Sequence, residues 1–189
     1  NFLSNNISFT VSCFQIYNNT IFDLLNNNHI LNFFKNDNLI IKNITKSKFN
    51  SFNDLLKIIK KFRKFKKTSN NNNSSRSSLI INIHTLLESF NIIDLHGQEI
   101  INTNYKYPPD SKIINFNMLS IKQCIISYYK KKKHIPFRNC LLTFYLKNMF
   151  KSICKVFFIC SINSEHNLFQ QIDTMNYSSL LIHPNKFNF

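Results

Sequence analysis

Apolar and polar residues alternate between Ile7 and Tyr17: Ile7, Phe9, Val11 and Cys13 share one parity, Ser8, Thr10 and Ser12 the other. A period of two predicts a half-buried strand. A shorter strand-like run, Leu39-Ile40-Ile41, lies inside Asp37 to Thr45. The period then changes. Phe52, Leu55, Leu56, Ile59 and Phe62 recur at helical spacing, and Ser51 with Asp54 three positions later forms a capping-box pattern at the start. This helix runs into a basic stretch, Lys60 to Lys67, and the asparagine run Asn70 to Asn73 breaks it.

Leu79 to Leu87 and Phe90 to Leu95 read as two strands joined by a tight turn near Glu88-Ser89. Residues 100–113 contain Pro108-Pro109 and little periodicity, which predicts a loop. Met118, Ile121, Ile125 and Tyr128 mark an amphipathic helix that ends at Lys130-Lys131-Lys132-Lys133. Pro136 separates it from a second helix, roughly Arg138 to Phe150. Lys155 to Ser161 reads as a buried strand and Asn167 to Leu181 as a last helix. No internal repeat is visible. Strands and helices are interspersed, with polar motifs after strands, which is the pattern of an α/β layered domain.

Composition narrows the class. With 189 residues, 43% of them hydrophobic, the chain has enough apolar material for a core and does not read as a disordered tail. One glycine, no tryptophan and an excess of Asn, Lys, Ile and Phe point to bias in the coding DNA, so Asn and Lys runs carry less meaning than usual. The five cysteines, Cys13, Cys124, Cys140, Cys154 and Cys160, lack Cys-x-x-Cys spacing, which favours buried thiols in a reducing compartment over disulfides or zinc. The longest apolar run, Val156 to Ile162, is strand-sized, so no membrane span is expected. Neither a signal peptide nor an initiator methionine is present, and the expectation is a chain that begins inside something larger. A net charge of +15 calls for a polyanionic partner.

Two short segments carry the chemistry. Asn71-Asn72-Asn73-Ser74-Ser75-Arg76-Ser77 opens one strand run and Asp94-Leu95-His96-Gly97-Gln98-Glu99 closes the next. Hydroxyls on a loop can ligate magnesium or orient an attacking water, and an Asp after a hydrophobic strand can hold the metal through water. A glycine lets a backbone N–H approach a phosphate closely. Alone, the first segment reads as a polar loop and the second as a common turn. Together they resemble the two nucleotide switches of the kinesin motor domain, Asn-x-x-Ser-Ser-Arg-Ser-His and Asp-Leu-Ala-Gly-Ser-Glu.

Further blocks in the same order extend the resemblance over roughly 170 residues. Val11 to Leu25 is similar to a kinesin strand reading Val-Ser-x-x-Glu-Ile-Tyr-Asn-Glu followed by Asp-Leu-Leu, and Arg63 and Thr68 match residues before the first switch. Asn115-Phe116-Asn117-Met118 stands at the start of the relay helix. His134-Ile135-Pro136-Phe137-Arg138 with Leu142-Thr143 matches His-Val-Pro-Tyr-Arg and Leu-Thr, and Asn167, Thr174 and Tyr177 fall on the final helix. Ser78 replaces the histidine of the first switch; His96 and Gln98 replace the alanine and serine of the second. Gln15 stands where a glutamate is usual, Lys122 where the relay helix has glycine, and Leu141 where the microtubule face has lysine. His96, beside Asp94, is read as a drifted loop position rather than an acid–base group.

The resemblance implies an α/β P-loop NTPase motor head, a mixed central sheet with helices on both faces, of which residues 1–189 supply the later part. Its segments would be 7–35, 37–67, the switches and hairpin at 70–99, microtubule-face helices at 114–151, and a last strand and helix at 155–182. The glycine-rich phosphate loop and its strand, which the family places between the second-switch strand and the strand from Lys155, are not encoded here. By resemblance, Ser75, Arg76 and Glu99 are catalytic. Asn71, Ser74, Ser75, Asp94 and Gly97 sense nucleotide and magnesium: Ser75 contacts the ion or its water, Asp94 holds it through water, Gly97 feels the γ-phosphate, and Arg76 pairs with Glu99 as a latch. Lys130, Lys131, Lys132, Lys133, His134 and Arg138 would meet the microtubule. The implied cofactor is Mg-ATP in a complete head, the implied partners are tubulin and ATP, and the implied location is the cytoplasmic cytoskeleton. No protein ligand to a metal is expected. Two rival readings are a degenerate microtubule binder without turnover and a basic nucleic-acid-binding domain. The Phe-interleaved cations of Lys57 to Lys67 suit the latter, but their apolar stripe favours a core helix with a charged outer face.

Overall fold

Strand β1 (Phe9–Tyr17) organises the first of two units into which the chain divides, Asn1–Asn115 and Phe116–Phe189. The computed structural model describes residues 8–65, 76–97, 111–151, 155–161 and 168–179. One edge of β1 pairs with β2 (Thr20–Asp23) and, nearer its start, with β6 (Ser47–Phe49). The other edge pairs with β7 (Ser78–His84), which in turn pairs with β8 (Ser89–Asp94). With β3 (His29–Leu31) beyond β2, the order is β3-β2-β1-β7-β8, and every described pairing is antiparallel. A separate two-stranded ribbon joins β4 (Phe33–Lys35) to β5 (Leu39–Ile41).

The alternation in β1 predicts one wet face, but both faces are covered. Val11, Cys13 and Phe14 are fully buried, and Ser12 is 2% exposed. Ser12 shares its parity with the buried Phe14 and Ile16, so this face is covered too and the small serine fits there. The asparagine excess does local work at its end. Asn18 and Asn19, at φ 45° and 58°, form a two-residue turn between Tyr17 and its partner Thr20. Such turns need left-handed backbone at both positions, which asparagine tolerates better than most residues.

On one face of the sheet Val11, Cys13, Leu24, Leu79 and Ile81 pack with Leu55, Ile58 and Ile59 of α1 (Phe52–Phe65). Leu56, which the periodicity placed in the stripe, is exposed instead. Ser51 Oγ accepts the Asn53 N–H at 3.2 Å, while Asp54 takes a bond from Lys57 Nζ at 3.1 Å. Asp23, fully buried at the end of β2, accepts the Leu25 N–H at 2.9 Å and the Thr45 N–H at 2.8 Å. It thereby ties β2 to the connection before β6. Burial, with the Asp23 charge adding to it, pushes the Cys13 thiol far above its ordinary range.

The β7–β8 turn falls at Thr85–Glu88 rather than at Glu88-Ser89. Thr85 Oγ1 accepts the N–H groups of Leu87 and Glu88 at 3.3 and 2.9 Å, and Leu86 and Leu87 stand 96% and 94% exposed. A threonine side chain satisfying turn amides outweighs the apolar character of the two leucines that extended the strand reading.

Helices dominate the second unit: most of α2 (Ser111–Tyr129), then α3 (Leu141–Lys151) and α4 (Leu168–Ser179). Helix α2 begins within the stretch read as a loop, and α3 begins at Leu141 rather than Arg138. The start of α3 is fixed by a reciprocal cap. Cys140 N–H donates to Thr143 Oγ1 at 3.2 Å, and Thr143 N–H donates to Cys140 Sγ at 3.4 Å. The Thr143 hydroxyl lies 2.9 Å from the Phe137 carbonyl, to which it donates. Thr143→Val keeps the shape and strands these buried groups, so it is expected to cost about 1–2 kcal/mol. A lower urea midpoint with an unchanged slope would show it.

Residues 155–161 correct the sequence reading. They form no strand, and Phe157 and Ile159 are 88% and 90% exposed. An apolar run becomes a strand only against a ladder partner, and no described strand offers one to these residues.

Candidate functional site

The hairpin register brings the described parts of the two chemical segments, Arg76-Ser77 and Asp94 to Gly97, to one end of the sheet. Leu79 of β7 stands opposite Asp94 of β8, and the β1–β7 ladder stops at Ile16 opposite Ser78. The chain therefore enters β7 through Arg76-Ser77 at the same end at which it leaves β8 through Asp94 to Gly97. Arg76 and Asp94 are half-buried there. Gly97 is exposed, and a Cβ built on it would meet nothing within 4 Å. Its backbone does not demand glycine; what the residue leaves is open space above the chain. His96, read as a drifted loop position, is only 3% exposed, with Nδ1 3.4 Å from the Gly97 carbonyl oxygen. Asn71, Ser74, Ser75 and Glu99 lie outside the described residues, as does Gln98.

One polar contact at this end had no signal in the motifs. Ser77, 7% exposed, donates its hydroxyl to Gln15 Oε1 at 3.0 Å. The bond depends on the β1–β7 register, which a linear pattern does not display.

The basic cluster of the second unit sits on a defined helix end. Lys131 N–H bonds the Tyr128 carbonyl at 3.0 Å, Lys132 N–H bonds that of Ser127 at 2.9 Å, and Lys131 has φ 51°. This is the Schellman arrangement, with lysine in the left-handed place that glycine usually fills. Lys130, Lys131, Lys132, Lys133 and His134 are all exposed. Cations there also meet the unpaired carbonyls of the helix terminus favourably.

The platform behind them is packed. Phe150 meets Tyr128 and Phe137 with ring centroids 5.4 and 5.5 Å away, and Asn139 Nδ2 donates to Gln123 Oε1 at 3.2 Å. Arg138 is exposed, its Cζ 6.0 Å from the centre of the Phe144 ring, and Lys147 Nζ approaches the same ring at 5.5 Å. Leu141, where the sequence resemblance implies a lysine, is fully buried. Burial, and then the nearby Cys140 charge, pushes the Cys124 thiol up to about 12, so it serves as packing rather than as a nucleophile.

The architecture of the chain has a counterpart among solved structures. It is similar to a KIF14 dimer in its two-heads-bound state, with AMP-PNP and in complex with a microtubule, at TM-score 0.63 and 20% identity. The match covers 75% of this chain and 48% of that one, so the chain spans about half the length of the structure it matches. At such identity the likeness is one of fold. The family model of the kinesin motor domain matches residues 3–181, and the chain belongs to the kinesin motor domain family.

Proposed function

We propose that this chain is the later part of a kinesin-like head that, when complete, couples ATP hydrolysis to movement along microtubules in the cytoskeleton. The observation that carries this reading is the register Leu79 opposite Asp94, which delivers Arg76 and the Asp94–Gly97 segment to one sheet end. The residues present fit part of a Mg-ATP site. Gly97, which is exposed, would offer its backbone N–H to a phosphate group, Asp94 would hold magnesium through water, and Asn71, Ser74 and Ser75 would add amide and hydroxyl groups. Bound Mg-ATP would supply the terminal phosphate whose presence these loops distinguish. Glu99 would pair with Arg76 to hold the two segments together. Lys130 to Lys133, His134 and Arg138 would face the acidic surface of tubulin.

The chain holds a single glycine, so a glycine-rich loop of the kind that makes most phosphate contacts in such sites is not among these residues. The 189-residue chain alone is therefore expected to bind ATP weakly or not at all, and a labelled-ATP titration showing micromolar, magnesium-dependent affinity would refute that. One rival is a microtubule binder without turnover, because His96 and Gln98 depart from the pattern of the second switch that the resemblance implies. Co-sedimentation with microtubules in the presence of competing nucleic acid tests the partner. Retention on microtubules is expected; loss of binding to the competitor would favour the nucleic-acid reading instead. Microtubule-stimulated ATPase of a head completed with a phosphate-loop half separates motor from inert binder.

A further inference from the structure

The hydrogen bond from Ser77 Oγ to Gln15 Oε1 joins residues 62 apart in sequence at the point where the chain through Arg76 enters the sheet. Backbone pairing between β1 and β7 ends at Ser78, so Ser77 is the first residue beyond the ladder. Gln15 stands opposite Leu79, and the residue two places before Leu79 falls diagonally across on the same face. That diagonal is within reach of a long side chain. Ser77 is 7% exposed and Gln15 half-buried, so the bond is shielded from water and is worth more than an exposed one. The neighbouring Ser78 hydroxyl is buried with no hydrogen-bond partner among the described residues, so it anchors nothing at this point.

From this geometry we infer that Gln15 is a positioning residue for the phosphate-sensing loop. Its side-chain oxygen extends the hold of the sheet one residue past the ladder, and so fixes the place from which Arg76 is presented. The inference rests on the nucleotide reading for its purpose, though not for its structural content. Only the acceptor oxygen is used, so a carboxylate of equal reach can replace the amide, whereas an alkyl side chain cannot.

Amide hydrogen exchange of the 189-residue chain tests this without nucleotide. Gln15→Leu and Ser77→Ala are each expected to speed exchange at residues 76–78 by roughly three- to ten-fold, the effect of one hydrogen bond, with residues 80–83 unchanged. Gln15→Glu is expected to restore the parent rate. If Gln15→Leu does not fold, Ser77→Ala decides the matter. Unchanged exchange at 76–78, failure of Gln15→Glu to rescue, or equal acceleration along all of β7 would overturn the proposal, the last by making Gln15 a general stabiliser of the sheet. A chain that responds as expected, in a completed head without ATP turnover, would leave the anchor standing and remove the nucleotide reading.

Discussion

Arg76→Glu in a head completed with a phosphate-loop half is expected to lower microtubule-stimulated ATP turnover by about 100-fold, and Glu99→Arg by a similar factor. Losing one well-placed charged group at a phosphoryl-transfer site commonly costs this much. Arg76 is half-buried at the threshold of β7, where an ion pair is screened less than on an open surface. Reversal at one partner sets like charges against each other, a larger perturbation than truncation. The swapped pair, Arg76→Glu with Glu99→Arg, restores attraction with altered geometry, so part of the turnover should return. That recovery is the double-mutant signature of direct coupling, which two unrelated structural defects would not produce. Steady-state ATPase against microtubule concentration is the measurement. Undiminished turnover in both single variants would remove the latch from the site.

The parts of the fold that the sequence displays are those in which one local rule acts alone. The helical period of Leu55 and Ile59 found α1, the pure apolar run of Leu79 to Ile81 found β7, and the asparagines before Thr20 form a turn because they tolerate left-handed backbone. The readings that changed are those in which a side chain competes with the pattern or a partner strand is required. Thr85 ended β7 before two leucines, the Cys140–Thr143 cap moved the start of α3, and residues 155–161 lack a ladder partner among the described residues. The candidate site was legible as two motifs because both flank strands. Its convergence needed the antiparallel register of β7 on β8, and the Gln15–Ser77 bond needed that of β7 on β1. Asp23 makes the same point. In the sequence it is the start of Asp-Leu-Leu, and only the fold shows its carboxylate capping amides of residues 25 and 45.

Removing the charge of Lys130 to Lys133 in a completed head is expected to weaken microtubule binding several-fold to tens-fold at low salt. Four alanines would mix two effects, because Lys131 occupies a left-handed backbone place at φ 51°. Glycine at 131 with alanine at 130, 132 and 133 removes the cations and keeps the Schellman turn; Lys131→Gly alone should stabilise the chain by about 1 kcal/mol. The side chains are exposed, so their attraction to acidic tubulin tails acts through screened solvent. The loss should therefore appear mainly as slower association, shrink as salt rises, and vanish on microtubules whose tails have been clipped by protease. Arg138, exposed beside the Phe144 ring, contributes one cation and does not make up for four. Leu141, buried where the resemblance implies a lysine, adds no cation either, which would raise the dependence on Lys130 to Lys133. If the charge-stripped head keeps the parent's ratio of affinities for tailed and tailless microtubules, the four lysines serve only as the solvated end of α2.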